Sequence, residues 1–192
     1  MQDAQRLREL EMRIAELEEA NAELRADNDA LRRLSRRDGL TDLLNRRGGL
    51  EEWQRICHEA MRRAEPLSIV FLDLIAFKAI NDGHGQPAGD RVLQAVGRVL
   101  LQTTRPADVV CRPGGDEFVV ILPRTDAAGC VATIARMDAG LRGMSVRLND
   151  NRLNGVQARY AHATELSPTS SPPHHLWDDV GTRIKADKSH DD

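Results

Sequence analysis

Three carboxylates stand where apolar runs end or turn back. Asp73 lies near the close of "LSIVFLDL" (67–74), and Asp116 and Glu117 follow the glycine pair in "CRPGGDEFVVIL" (111–122). If the two runs pair as strands, the three acids converge at one edge of a sheet. Clustered carboxylates repel one another unless a cation sits among them. Hard divalent ions such as Mg²⁺ take a few carboxylates together with substrate phosphates. Such an ion can activate a hydroxyl and stabilise an in-line displacement at phosphorus. Gly114 and Gly115 would let a bulky substrate approach the backbone closely. Taken alone, the pattern reads first as a Gly-Gly-Asp turn with exposed acids.

The elements that hold these acids follow from periodicity. Residues 48–64 carry Leu50, Trp53, Ile56, Cys57, Ala60 and Met61 on a helical stripe that Pro66 stops. The near-continuous apolar run 67–74 reads as a buried strand. Val92, Leu93, Val96, Val99 and Leu100 mark a second amphipathic helix over 88–103. "DVVCR" and "EFVVIL" flank the glycines as a hairpin. Residues 125–143 read as a helix with Thr125 at its N-cap, 155–163 as a strand and 176–188 as a last helix. This order predicts an α/β sandwich built on one mixed sheet.

The first 36 residues contain neither Gly nor Pro, and Leu10, Leu17, Leu24 and Leu31 recur every seven positions. Leu7, Ile14, Asn21 and Asn28 precede them by three, so the heptads carry Leu at d and Leu, Ile, Asn, Asn at a. Asn at a favours two parallel strands in one register. In that register Arg6 faces Glu11 of a second copy, Arg13 faces Glu18 and Asp27 faces Arg32, all attractive pairs. A parallel homodimeric coil is expected over 1–36, with the globular domain over 37–192. The basic "RRLSRR" (32–37) follows the zipper rather than preceding it, unlike a basic-zipper DNA reader.

Net charge is −3, which gives no basic bias toward nucleic acid. No apolar stretch reaches the roughly 18 residues of a membrane span. Cys57, Cys111 and Cys130 are odd in number and show no CxxC spacing, so reduced thiols and a cytoplasmic location are expected.

More of the chain than the glycine pair resembles the GGDEF family of diguanylate cyclases. "DGLTDLLNRRG" (38–48) looks like its opening motif and "FLDLIAFKAINDGHGQPAGD" (71–90) its metal-and-guanine segment. "RPAD" (105–108) begins nine residues before the glycines, at the family's RxxD site. "RIKADK" (183–188) resembles the end of its last helix. The resemblance implies a fold like the palm of nucleotidyl cyclases and polymerases. It implies Mg²⁺ (or Mn²⁺) at Asp73, Leu74, Asp116 and Glu117, with Asp73, Asp116 and Glu117 catalytic. GTP would be bound by Phe77 and Lys78 on a phosphate loop, Asn81 and Asp90 at the guanine edge, Gly114, Gly115 and Lys188. Arg112 would support the turn. Cyclic di-GMP would bind Arg105 and Asp108, with Arg136 adding a basic group, and inhibit the enzyme.

The chain also departs from the family's pattern. Ile75 stands where a second Asp is usual and Gln86 where His is common. Arg159 takes the place of a glycine, and Gly181 and Lys185 replace a usual Asp and Tyr. The implied function is a diguanylate cyclase joining two GTP into cyclic di-GMP across a coil-tethered dimer. The alternative is a catalytically impaired domain that senses cyclic di-GMP through Arg105 and Asp108.

Overall fold

Strand β1 (Leu67–Leu74) is buried at all its positions, as the unbroken apolar run requires. In the computed structural model the described residues are 36–148, 151–165 and 175–188 (185–188 by backbone only), with six positions among the first 35. Contacts divide the chain into two units, 1–35 and 36–192. In the first unit Arg6, Arg13, Ile14, Leu17, Glu18 and Asn21 are helical, and Ile14 and Leu17 are exposed. The other heptad positions, and the expected parallel coil with them, lie outside the described residues.

In the second unit α1 (Arg46–Arg63) leads into β1, followed by α2 (Phe77–His84) and α3 (Gln86–Thr103). The hairpin β2 (Val109–Gly114) and β3 (Glu117–Pro123) comes next, then α4 (Ala127–Gly143). A small hairpin of β4 (Ser145–Leu148) and β5 (Asn151–Asn154) precedes β6 (Ala158–Glu165) and α5 (Leu176–Lys188). The main sheet has the order β2-β3-β1-β6, and β4 and β5 form a separate pair.

All three pairings in the main sheet are antiparallel, which corrects the expected mixed sheet. The described parallel contact is a single bridge, Leu44 to Cys111, outside the named strands. The carboxylate-bearing strand therefore runs through the sheet's interior, and the acids share one end of the sheet rather than a lateral edge.

The period of two sorts β1 between two cores. Val70, Leu72 and Leu74 join Phe118, Val120 and Leu122 of β3 against α3 and α4. Leu67, Ile69 and Phe71 join Val119 and Ile121 against Trp53, Ile56 and Cys57 of α1 and Trp177, Val180 and Ile184 of α5. Phe71 meets Trp177 edge to face, with centroids 5.5 Å apart. Inside the sheet, the Ser68 hydroxyl donates to the Thr125 carbonyl at 2.8 Å and shares a 2.7 Å bond with Thr164 Oγ1.

Three local expectations are revised. Asp126, not Thr125, caps α4, because its carboxylate accepts from Gly129 N–H at 2.8 Å. Thr125 is buried and its hydroxyl donates to the Pro123 carbonyl. Phe77 and Lys78, expected on a loop, are the first residues of α2, a two-turn helix that Asn81, Asp82 and Gly83 had disguised. The β4–β5 hairpin was not anticipated, and the strand read at 155–163 runs from Ala158 to Glu165.

All three cysteines are buried and unpaired. Burial pushes the Cys57 thiol up to about 12 and raises those of Cys111 and Cys130 as well. Iodoacetamide at neutral pH is expected to leave all three unmodified in the native protein and to label all three in denaturant. Rapid native labelling at Cys57, read by mass spectrometry, would contradict this placement.

Candidate functional site

The register of the sheet positions the acids. Asp73 pairs with Glu117 on β3, so the two carboxylates stand on one face of neighbouring strands. Phe71, two residues before Asp73, belongs to the core under α1 and α5, which identifies that face. Asp73 is only 2% exposed. The Leu74 N–H donates to the Asp116 carbonyl at 3.3 Å, tying the end of β1 to the turn. Among the described residues, no three His, Cys, Asp or Glu side chains gather as a metal cage. The expected convergence of three carboxylates thus reduces to the facing pair Asp73 and Glu117, with Asp116 beside them in the turn. Asp116 lies in the turn between β2 and β3, and Glu117 is the first residue of β3. Two facing carboxylates, one deeply buried, remain a donor set suited to a hard divalent ion that takes its other oxygens from phosphate.

The turn itself is held from below. Arg112, 8% exposed, donates from Nε and Nη2 to the Gly115 carbonyl at 3.0 and 2.7 Å. Its Nη1 donates to Asp38 Oδ1 at 2.8 Å. Asp38 also accepts from the Thr41 N–H and hydroxyl, at 2.9 and 2.6 Å. Burial by itself would raise the Asp38 pKa; hydrogen bonds from Thr41 and Arg112 outweigh it and hold the carboxyl below its ordinary value. The Arg112 N–H meanwhile donates to the Leu44 carbonyl at 2.7 Å. The role expected of Arg112 is seen here, and its partner Asp38 is one that sequence reasoning missed. No local pattern joins residues so far apart in the chain.

Gly115 has φ 55°, a conformation a side chain resists. A Cβ on Gly114 or Gly115 would meet nothing within 4 Å, so the space over the turn is open. Glu117 also lines a cavity of about 130 Å³ with Arg46, Phe71, Trp177 and Asp178.

Asn81 and Asp90 lie on α2 and α3, which pack together. A Cβ on Gly89 would fall 1.9 Å from Asn81 Oδ1, so only glycine leaves room for this amide. The Asn81 Oδ1 is buried and meets no hydrogen-bond donor. Lys78 is exposed on the first turn of α2, and Phe77 packs against the core. Lys188 is the last residue of α5, and its side chain lies outside what is described.

Arg105 and Asp108 close a turn after α3. Asp108 Oδ2 accepts from the Arg105 N–H at 2.7 Å, and the Asp108 N–H donates to the Arg105 carbonyl. Burial raises the Asp108 pKa against that bond and against the charges of Arg105 and Arg136. Arg136 lies near enough to act on Asp108 and donates to Thr133 Oγ1 at 2.9 Å.

Residues 35–190 match the family model described as diguanylate cyclase, GGDEF domain. Diguanylate cyclase A of Treponema denticola is 37% identical over 92 residues, 48% of this chain and 25% of that protein. Diguanylate cyclase TpbB of Pseudomonas aeruginosa is 35% identical over 136 residues, 70% of this chain and 31% of that protein. The chain thus spans about a quarter to a third of these curated relatives. The GGDEF domain of DgcB from Caulobacter crescentus, solved with c-di-GMP, superposes with TM-score 0.72 at 27% identity, covering 81% of this chain and 88% of that one. Diguanylate cyclase SiaD of Pseudomonas aeruginosa, solved with its activator SiaC, gives TM-score 0.73 at 27% identity, over 97% of this chain and 71% of that one.

The Arg112 clamp makes a measurable claim. Arg112→Ala leaves the Asp38 carboxylate and the Gly115 carbonyl without their donor and should cost about 3 kcal/mol in urea unfolding. Asp38→Asn should cost less. Because the Asp38 pKa is lowered on folding, the gap between wild type and Asp38→Asn should be full above the ordinary carboxylate range. It should close only as pH falls through Asp38's lowered value. A gap independent of pH would argue against the charged pair.

Proposed function

Because the chain belongs to the GGDEF family of diguanylate cyclase domains, we propose that it condenses two GTP into cyclic di-GMP with release of two pyrophosphates. The observation that carries this reading is the pairing of Asp73 with Glu117 beneath an open, Arg112-clamped Gly114–Gly115 turn. Each domain supplies half of the reaction. The 3′-hydroxyl of the GTP in one domain attacks the α-phosphate of the GTP in its partner. A parallel coil through residues 1–36 supplies the partner, because tethering converts an encounter into an intramolecular event. Its substrate and location then fit a cytoplasmic enzyme; among the described residues no helix is long and apolar enough to cross a membrane.

A bound Mg²⁺ (or Mn²⁺), held by Asp73, Leu74, Asp116 and Glu117, would supply charge neutralisation at the triphosphate and a more acidic attacking hydroxyl. The chain's own groups do the rest. Gly114 and Gly115 leave space for the nucleotide over the turn. The first N–H groups of α2, at Phe77 and Lys78, have no partner within the helix and suit phosphate oxygens. Lys78 and Lys188 add positive charge. Asp90 accepts from guanine N1–H and its amino group together, a pattern adenine lacks. The buried Asn81 Oδ1 offers a further acceptor without a protein donor. Arg105 and Asp108, with Arg136, form the inhibitory product site.

Incubation with GTP and Mg²⁺ should yield pyrophosphate and cyclic di-GMP, ATP should not substitute, and Asp116→Ala should lower the rate by about 100-fold or more. No product under conditions that relieve product inhibition would sink the enzymatic reading. Cyclic di-GMP binding by such an inactive protein would favour the receptor reading in its place.

Arg105→Ala should abolish cyclic di-GMP inhibition while leaving the initial rate unchanged. Calorimetry showing undiminished cyclic di-GMP affinity in that variant would move the product site elsewhere.

A further inference from the structure

The face that carries Asp73 and Glu117 extends one strand further. Asp73 pairs with Arg159 on β6 in the same antiparallel ladder that places Leu72 against Tyr160 and Leu74 against Ala158. Arg159, Asp73 and Glu117 therefore form a row across three adjacent strands, one cation followed by two anions. Arg159 Nη1 stands 3.9 Å from Asp73 Oδ2. The two side chains are 21% and 3% exposed, so this attraction is poorly screened by water. At that separation the attraction between these two atoms is one of charge rather than a hydrogen bond.

We propose that Arg159 is a resident counter-cation for Asp73, which orients that carboxylate before metal arrives and weakens divalent-ion binding at the Asp73–Glu117 pair. This inference rests on the metal site assigned above. A divalent ion among these oxygens meets a fixed positive charge across β1, and two like charges a few ångströms apart repel. Arg159 is the second residue of β6, and its backbone is held by the ladder to β1; only its side chain can swing aside. The domain then needs a higher concentration of free metal than one with an uncharged residue on β6. Arg159 is a positioning residue in this scheme, because it acts through Asp73.

The test is direct binding of Mn²⁺, followed by the electron paramagnetic resonance signal of the free ion, with no nucleotide and no turnover. Arg159→Gln should bind Mn²⁺ about tenfold more tightly than wild type or better. Arg159→Gly should do the same, so a folding failure in one variant leaves the other to decide. Arg159→Lys, which keeps the charge, should stay near wild type. Without metal, Arg159→Gln should melt below wild type, because Asp73 loses its counter-charge, and saturating Mn²⁺ should restore the melting temperature. Equal or weaker Mn²⁺ affinity in both neutral variants, with binding still abolished by Asp73→Asn, would overturn this proposal and leave the metal site standing. Binding insensitive to Asp73→Asn in every background would remove the metal site itself, and this proposal with it.

Discussion

The register of β1 is the constraint on which the site depends. The strand is buried on both sides, so its even and odd positions are committed to different cores. A slip of one residue would carry Val70, Leu72 and Leu74 into the face of Trp53 and Trp177 and would turn Asp73 toward α3 and α4. A one-residue slip therefore exchanges the side chains of the two cores. The same lock sets Asp73 against Glu117 on one side and against Arg159 on the other. The chemistry of the site thus follows from apolar packing elsewhere in the strand.

The turn that carries Asp116 is secured differently. It extends over open space at Gly114 and Gly115, where no packing can hold it. A buried guanidinium does so in its place, with two donors on the Gly115 carbonyl and one on Asp38. Asp38 in turn organises its own loop through Thr41. Removing one member strands charge in a poorly hydrated place, so the three groups act as a unit. A loop near the start of the globular unit and a hairpin in its middle are coupled through one side chain.

Much of this was legible in the residues. The bounds of β1 and α5 match the apolar patterns that marked them, and the glycine pair correctly announced a hairpin. Other features carried no signal along the chain. Helix α2 was hidden because Asn, Asp and Gly favour turns when judged singly, and packing against α3 overrides that preference. Gly89 looked like any glycine in a helix until Asn81 was seen lying over it. The antiparallel sheet was read as mixed because the order of helices and strands does not reveal which strand lies beside which.

The sequence by itself determined the composition of the site and its local geometry. It supplied acids at a strand end, a glycine turn, an arginine before that turn, and the family these motifs mark. Those are properties of short segments, where side-chain period and backbone freedom act within a few residues. Only the tertiary structure decided which distant groups share a face. Arg159 stands out in the sequence only as a replacement for a usual glycine until the ladder sets it opposite Asp73, and Asp38 is a surface acid until Arg112 reaches it. Both pairings arise from burial of apolar surface far from either charge. That is why neither could be read from the residues that make them.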